Sequence, residues 1–269
     1  MSSSPAADNP ADETIDAFHR GAFHLVQPKG RGHRAGMDAM LLAALVVGEG
    51  PLSVADLGAG AGAAGLAVAA RLPAAEVTLV ERSAAMLDYA RKTLALVDNA
   101  AFAPRIRLVA ADVMLSGKAR RDAGLFEDVF DHVVMNPPFN DGRDRLTPDA
   151  LKAEAHAMDE DVFERWIRTA GAIMKPGGQL SLIARPESVA EIIAACGRRF
   201  GGIEITLLHP RAGENATRLL LTAIKGSKAR LCFRAPLIMH GPEGHAFLPE
   251  VDDLNNGRTG YARLARRAK

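Results

Sequence analysis

Residues 52–72 read LSVADLGAGAGAAGLAVAARL. A short apolar run ends in Asp56, glycines alternate at Gly58, Gly60 and Gly62 with a further Gly65, and an Ala/Leu/Val stretch with helical spacing follows. Alternating glycines between a strand and a helix permit positive φ, and they let a ligand approach the backbone with no Cβ in the way. A strand, a glycine loop and a helix in that order are the opening unit of a parallel α/β sheet.

Outward from this unit the same alternation continues. Strands are expected at 52–57, 76–81 (EVTLVE), 105–110 (RIRLVA), 130–135 (FDHVVM), 178–184 (GQLSLIA), 203–209 (IEITLLH) and 217–224 (TRLLLTAI). Helices are expected between them at 63–72, 83–97, 159–174 and 186–200. Nearly continuous apolar strands indicate a sheet covered on both faces, and right-handed crossovers make it doubly wound, with ligands beyond the carboxyl ends of the strands. Only PRAGENA (210–216) separates the last two strands, too short for a crossover helix, so that pair is expected to be antiparallel. The fold class is therefore α/β: a Rossmann-like, seven-stranded, mostly parallel sheet with an antiparallel last strand and helices on both faces.

The flanks organise around this core. Residues 1–21 read as a disordered tail, and residues 22–50 as a strand (AFHLVQ) and a helix capped by Asp38 that pack on the main domain. Residues 51–269 are the main domain, ending in extended elements (RLCFRAPLIM, GHAFLP) and a solvated basic tail, RLARRAK, that begins at Arg263.

Composition narrows the function. Of 269 residues, 33 are Lys or Arg and 32 are Asp or Glu, a net charge of +1, which argues against a globally basic nucleic-acid binder but permits a local basic patch. One Trp and two Tyr leave few platforms for stacking several unpaired bases. Two distant cysteines indicate neither a disulfide scaffold nor a metal site, and Cys196 falls on the apolar face of a helix. With no readable secretory signal and no apolar stretch long enough to span a bilayer, a cytoplasmic protein is expected.

Gly60, Gly62 and Gly65 satisfy the dinucleotide fingerprint G-x-G-x-x-G, with Glu81 about 20 residues on. Asp56, however, places a carboxylate where a pyrophosphate would arrive. A ligand carrying an ammonium group and no phosphate suits it better, and S-adenosylmethionine has that character. Asp56, Gly58, Gly60 and Gly62 would then hold its methionine and ribose portions, Glu81 its ribose hydroxyls, and Asp112 its adenine.

A second motif, Asn136-Pro137-Pro138-Phe139, follows the fourth strand. Two prolines stiffen the backbone and present the Asn136 side-chain oxygen beside the Pro137 carbonyl. Two acceptors side by side suit a planar amino group, holding its two N–H bonds while its lone pair turns to an electrophile; Phe139 would stack on the ring. Basic residues at Lys29, Arg31, His33 and Arg34, and Arg143 and Arg145 in a long polar segment (140–156) read as a substrate loop, are candidate phosphate contacts. His156 in that segment reads as structural.

Together DLGAGAG, Glu81, NPPF and KPGG (175–178) resemble class I S-adenosylmethionine-dependent methyltransferases. QPKGRGHRAGMDAMLLAAL (27–45) and HPRAGENATRLLLTAIKG (209–226) resemble the bacterial tRNA1(Val) adenine-37 N6-methyltransferase family. The resemblance implies cofactor contacts at Asp56, Gly58, Gly60, Glu81 and Asp112, and catalytic contacts at Asn136, Pro137 and Phe139, with Asn136 bordering the cofactor as well. It also implies an RNA partner, tRNA in particular. Tyr is frequent in that family where this chain has Phe139, and Phe there is usual in ribosomal RNA guanine-N2 methyltransferases. Ribosomal guanine N2, a protein glutamine amide, and a non-catalytic binding module on the same fold stay open as alternatives.

Overall fold

A computed structural model describes residues 13–29, 35–138 and 162–264. Its strands are β1 (Glu13–Phe18), β2 (Phe23–Pro28), β3 (Leu52–Leu57), β4 (Ala75–Glu81), β5 (Ile106–Ala110), β6 (Phe130–Met135), β7 (Met174–Ala184), β8 (Phe200–His209), β9 (Arg218–Lys225), β10 (Cys232–Phe233) and β11 (Leu237–Ile238). Its α-helices are α1 (Met37–Ala44), α2 (Ala63–Arg71), α3 (Ala84–Leu94), α4 (Gly117–Asp122), α5 (Val162–Ile173), α6 (Val189–Cys196) and α7 (Pro249–Asn255).

The seven expected strands lie side by side in the order β5-β4-β3-β6-β7-β9-β8, and short β10 and β11 extend the sheet along β8. Only β9 runs against its neighbours, antiparallel to both β7 and β8. Strand alternation divides the core in two: Val134 joins α1, α2, β2 and α7 on one face, while Val133 and Met135 join α5 and α6 on the other. Cys196 is buried in the second core, as its helical spacing suggests. Strand order reverses between β3 and β6, which opens a crevice at their carboxyl ends.

Three expectations about the flanks need correction. Residues 13–18 are not tail but strand β1, paired antiparallel along the whole of β2. The other edge of β2 is satisfied by side chains: Val26 N–H donates to Thr93 Oγ1 at 2.9 Å and His24 N–H to Asn99 Oδ1 at 3.0 Å. A polar segment of low hydrophobicity is thus ordered by backbone pairing, which composition does not report. Asp38 does not cap α1, whose N-cap is Gly36; its carboxylate instead accepts from Arg218 Nε at 2.8 Å. Arg263 is not solvated either. Glu204 is buried on β8 and needs a cation, and Arg263 lies 3.0 Å from it while also donating to the Gly202 carbonyl and the Thr222 hydroxyl. Helix α7 falls where the sequence suggests only extended elements, although its proline in the first turn followed by Glu250 and Asp252 is a readable helix start.

His132 sits in the middle of β6, fully buried, with Nε2 2.8 Å from Ser181 Oγ on β7. Burial, reinforced by the charges of Arg71 and Arg263, lowers its pKa to about 3. The folded state therefore refuses a proton that the unfolded chain accepts near pH 6.5, and stability is lost as pH falls below that value. Replacing His132 with Gln is expected to reduce the stability lost between pH 7 and pH 5 by about 2 kcal/mol. Urea unfolding at the two pH values measures this, and equal losses in both proteins would contradict it.

Candidate active site

A cavity of about 630 Å³ opens at the carboxyl ends of β3, β4, β6 and β7. Seven of the sequence-derived candidates line it: Asp56, Gly58, Gly60, Glu81, Asp112, Asn136 and Pro137. Its size is ordinary for a small-molecule site.

The glycine loop turns through left-handed backbone, with φ of +69° at Gly58 and +57° at Gly60, so a side chain at either would be strained. Gly58 and Ala59 N–H both donate to the Val80 carbonyl, which ties the loop to β4. A Cβ at Gly58 would lie 2.3 Å from the Trp166 ring, so close packing also demands glycine there. Gly62 differs from the expectation. It lies outside the cavity lining, and a Cβ on it would meet Leu66 and Leu79 at 2.6 and 2.7 Å. Glycine at this position therefore also serves the packing of α2 on β4.

Asp56, the penultimate residue of β3, lies beneath the loop, 3% exposed, and accepts from Gly65 N–H at 2.9 Å. Burial raises its pKa to about 7; the Gly65 hydrogen bond works in the other direction and the charge of Glu81 adds to the rise. Glu81 spans the crevice with one oxygen accepting from Gly60 N–H at 2.9 Å and the other from Ser83 N–H at 2.8 Å. A carboxylate has about four lone-pair sites, so Glu81 keeps capacity for two further donors. Asp112 accepts from Met114 N–H at 2.8 Å and stands 3.5 Å from Arg82.

Asn136 follows the last residue of β6. Its Oδ1 is buried and has no hydrogen-bond partner among the described residues. A buried acceptor left unsatisfied costs roughly 1–3 kcal/mol, which makes it a place where a ligand donor is favoured.

Lys29 is exposed and is not part of the cavity lining. Arg31, His33, Arg34, Phe139, Arg143, Arg145 and His156 lie outside the described residues. Sequence reasoning missed Trp166, Met86, Gln27, Arg185 and Arg218, which also line the cavity. Trp166 looks like an ordinary core residue on an amphipathic helix, and Arg185 and Arg218 are recognisable only once β7 and β9 are known to be neighbours. Among the described residues no cluster of His, Cys, Asp and Glu is arranged to hold a metal, and no helix is long and apolar enough to cross a membrane.

The family model of the methyltransferase small domain matches residues 37–206. A solved structure from Agrobacterium tumefaciens, described as a predicted O-methyltransferase, is 61% identical with a TM-score of 0.75 and covers 85% of this chain and 100% of that one. The tRNA1(Val) (adenine(37)-N6)-methyltransferase of Porphyromonas gingivalis is 27% identical over 242 residues, 87% of this chain and 91% of the relative. A Thermus thermophilus 16S rRNA N2 G1207 methyltransferase, solved with AdoMet and guanosine, shares the fold at a TM-score of 0.53 and 23% identity, over 79% of this chain and 50% of that one.

Proposed function

The chain belongs to the methyltransferase small domain family, and on that premise we propose that it methylates an exocyclic amino nitrogen of an RNA base, specifically adenine N6 in a tRNA anticodon loop. S-adenosylmethionine is the methyl donor. The described residues fit it: the left-handed turn of Gly58 and Gly60 leaves an open backbone cradle, and three carboxylates, Asp56, Glu81 and Asp112, stand at or just beyond the carboxyl ends of three successive strands around it. When bound, it supplies an electrophilic methyl group on a sulfonium.

In this reading Glu81 takes the ribose hydroxyls on its remaining lone pairs, Asp112 faces the adenine, and Asp56 compensates the positive charge of the ligand from below the loop. The observation that carries the choice of acceptor is the buried, unpartnered Oδ1 of Asn136. With the Pro137 carbonyl it offers two acceptors, which match the two N–H bonds of an amino group; a hydroxyl has only one O–H to give. Holding both N–H bonds fixes the nitrogen and frees its lone pair for the methyl, and the methylated nitrogen then releases a proton without a strong base. Phe139 is assigned the stacking role on its place in the motif. RNA, and tRNA in particular, is the partner, and the cytoplasm is the compartment that goes with it.

The test is incubation with labelled S-adenosylmethionine and total RNA from a strain lacking the gene, followed by nucleoside identification. Label in N6-methyladenosine from the tRNA fraction is the expected result. Label in N2-methylguanosine of ribosomal RNA, or in protein glutamine with RNA unlabelled, would replace it with the corresponding alternative.

A further inference from the structure

A cluster of cations stands at the amino end of β8, the opposite end of the sheet from the cavity. Residues 226–230 cross the start of β8: Gly226 N–H donates to the Arg199 carbonyl at 2.8 Å, and Gly202 N–H to the Ala229 carbonyl at 2.7 Å. A Cβ on Gly201 would lie 2.1 Å from the Ser227 carbonyl oxygen, so glycine is what lets the two backbones pass this closely. The crossing gathers Arg198, Lys228 and Arg230, all of them exposed. The acids around it are already engaged. Glu164 pairs with Arg199 at 2.7 Å, Asp128 with Lys225 at 2.7 Å, and the buried Glu204 with both Arg234 and Arg263, at 3.7 and 3.0 Å. None of Arg198, Lys228 and Arg230 makes a side-chain hydrogen bond or ion pair among the described residues. The carboxyl-terminal segment is fixed at the same place: Arg263 donates to the Gly202 carbonyl, and Leu264 N–H donates to Glu204 Oε2 at 3.1 Å. Arg266, Arg267 and Lys269 follow in sequence, no more than about 18 Å along the chain from that anchor.

From this we infer that Arg198, Lys228 and Arg230 form a docking surface for the phosphate backbone of the RNA substrate, at a segment remote from the base being methylated. The inference rests on the RNA reading above and specifies where the rest of that molecule is held. Strand β9 runs from Arg218 on the cavity wall to Lys225, which pairs with Phe200 beside the cluster, a distance of roughly 23 Å. At that separation the cluster meets a part of the RNA other than the nucleotide in the cavity, so it favours a folded RNA with an arm that extends past the site. The whole chain carries a charge of only +1, so this is a local concentration of positive charge and not a share of general basicity. Exposed cations with no acid to neutralise them suit phosphates, whose binding releases condensed counterions. A second copy of the chain is a poorer occupant, because a two-fold contact would set the cluster against itself.

The experiment compares the full wild-type chain with the triple variant Arg198→Gln, Lys228→Gln, Arg230→Gln. Binding of unfractionated tRNA from a strain lacking the gene is measured at several salt concentrations, alongside methylation kinetics and calorimetric titration of S-adenosylmethionine. The triple variant is expected to bind tRNA roughly 10- to 100-fold more weakly at about 0.1 M salt. Its plot of log affinity against log salt should flatten by about 2 to 3, the contribution of three phosphates. KM for tRNA should rise while kcat and cofactor affinity stay within twofold, a split that misfolding would not produce. Unchanged tRNA affinity, salt slope and KM in the triple variant, with a wild type that binds and methylates RNA, would overturn the docking surface and leave the function standing. Loss of binding to phosphatidylserine-containing vesicles, with tRNA binding intact, would overturn it in favour of a membrane surface. A wild type that neither binds nor methylates RNA would overturn both the surface and the function.

Discussion

Asn136→Ala is expected to lower turnover by about 10²- to 10³-fold while cofactor affinity changes less than twofold. The size is that of removing one positioned polar group from a transition state. The reason it falls on turnover is the location of Oδ1: buried at the end of β6, without a partner among the described residues, and on the wall of the cavity. An acceptor that the protein itself leaves unused makes its hydrogen bond only when the amino group arrives, so its loss appears in the chemical step. Stability gives an independent check. Removing a buried, unsatisfied acceptor takes away a penalty, so the variant is expected to unfold at the same or a higher urea concentration than wild type. Asn136→Asp keeps acceptor oxygens at that place and is expected to lose less turnover than Asn136→Ala. Steady-state kinetics and urea unfolding on the three proteins decide the matter. Wild-type turnover in Asn136→Ala would remove the amino-positioning role, and lost activity together with lost stability would make the residue merely structural.

How far the sequence reaches can be seen at individual residues. The order of apolar strands and the glycine loop at 58–65 suffice for the sheet, because a parallel strand buried on both faces has an unambiguous signature. The same patterning identifies Asp56, Glu81 and Asn136, since residues at the carboxyl ends of such strands share one crevice. What was not legible depends on contacts distant in sequence. Glu13–Phe18 is a strand because β2 offers it an edge, Arg263 is half-buried because it pairs with the buried Glu204, and Arg185 and Arg218 line one cavity because β9 inserts between β7 and β8. Gly62 shows that one position can answer to two demands: the motif marks it for ligand approach, and Leu66 and Leu79 behind the loop also leave no room for a Cβ there.

Asp56→Asn is expected to make the ligand-free protein more stable at pH 8 and yet a poorer binder. The carboxyl is buried, and burial lifts its pKa from 3.8 to about 7. Between those values the folded state keeps a proton that the unfolded chain has released, so this group's contribution to stability declines as pH rises from 3.8 to 7 and is constant on either side. Asn carries no such cost. Above pH 7 the variant should therefore gain up to about 4 kcal/mol over wild type, and the gain should vanish below pH 4. His132 and His19, whose pKa values burial lowers to about 3 and about 4, act in the opposite sense over much of the same range. Wild-type stability consequently falls on acidification less steeply than these histidines alone would make it, and Asp56→Asn exposes their full slope. A cationic ligand reverses the preference at Asp56 by favouring the carboxylate. Because burial raises the Asp56 pKa to about 7, cofactor binding near neutral pH should release part of a proton, visible as a buffer-dependent heat. Loss of the charge should weaken S-adenosylmethionine binding by about 10- to 100-fold at pH 8, the range for a hydrogen bond or contact to a charged group. A variant no more stable than wild type at pH 8 would show that the carboxyl ionises without cost in the folded state. One that binds the cofactor normally would remove Asp56 from the site, and with it the electrostatic reason for preferring a sulfonium donor over a dinucleotide in this glycine loop.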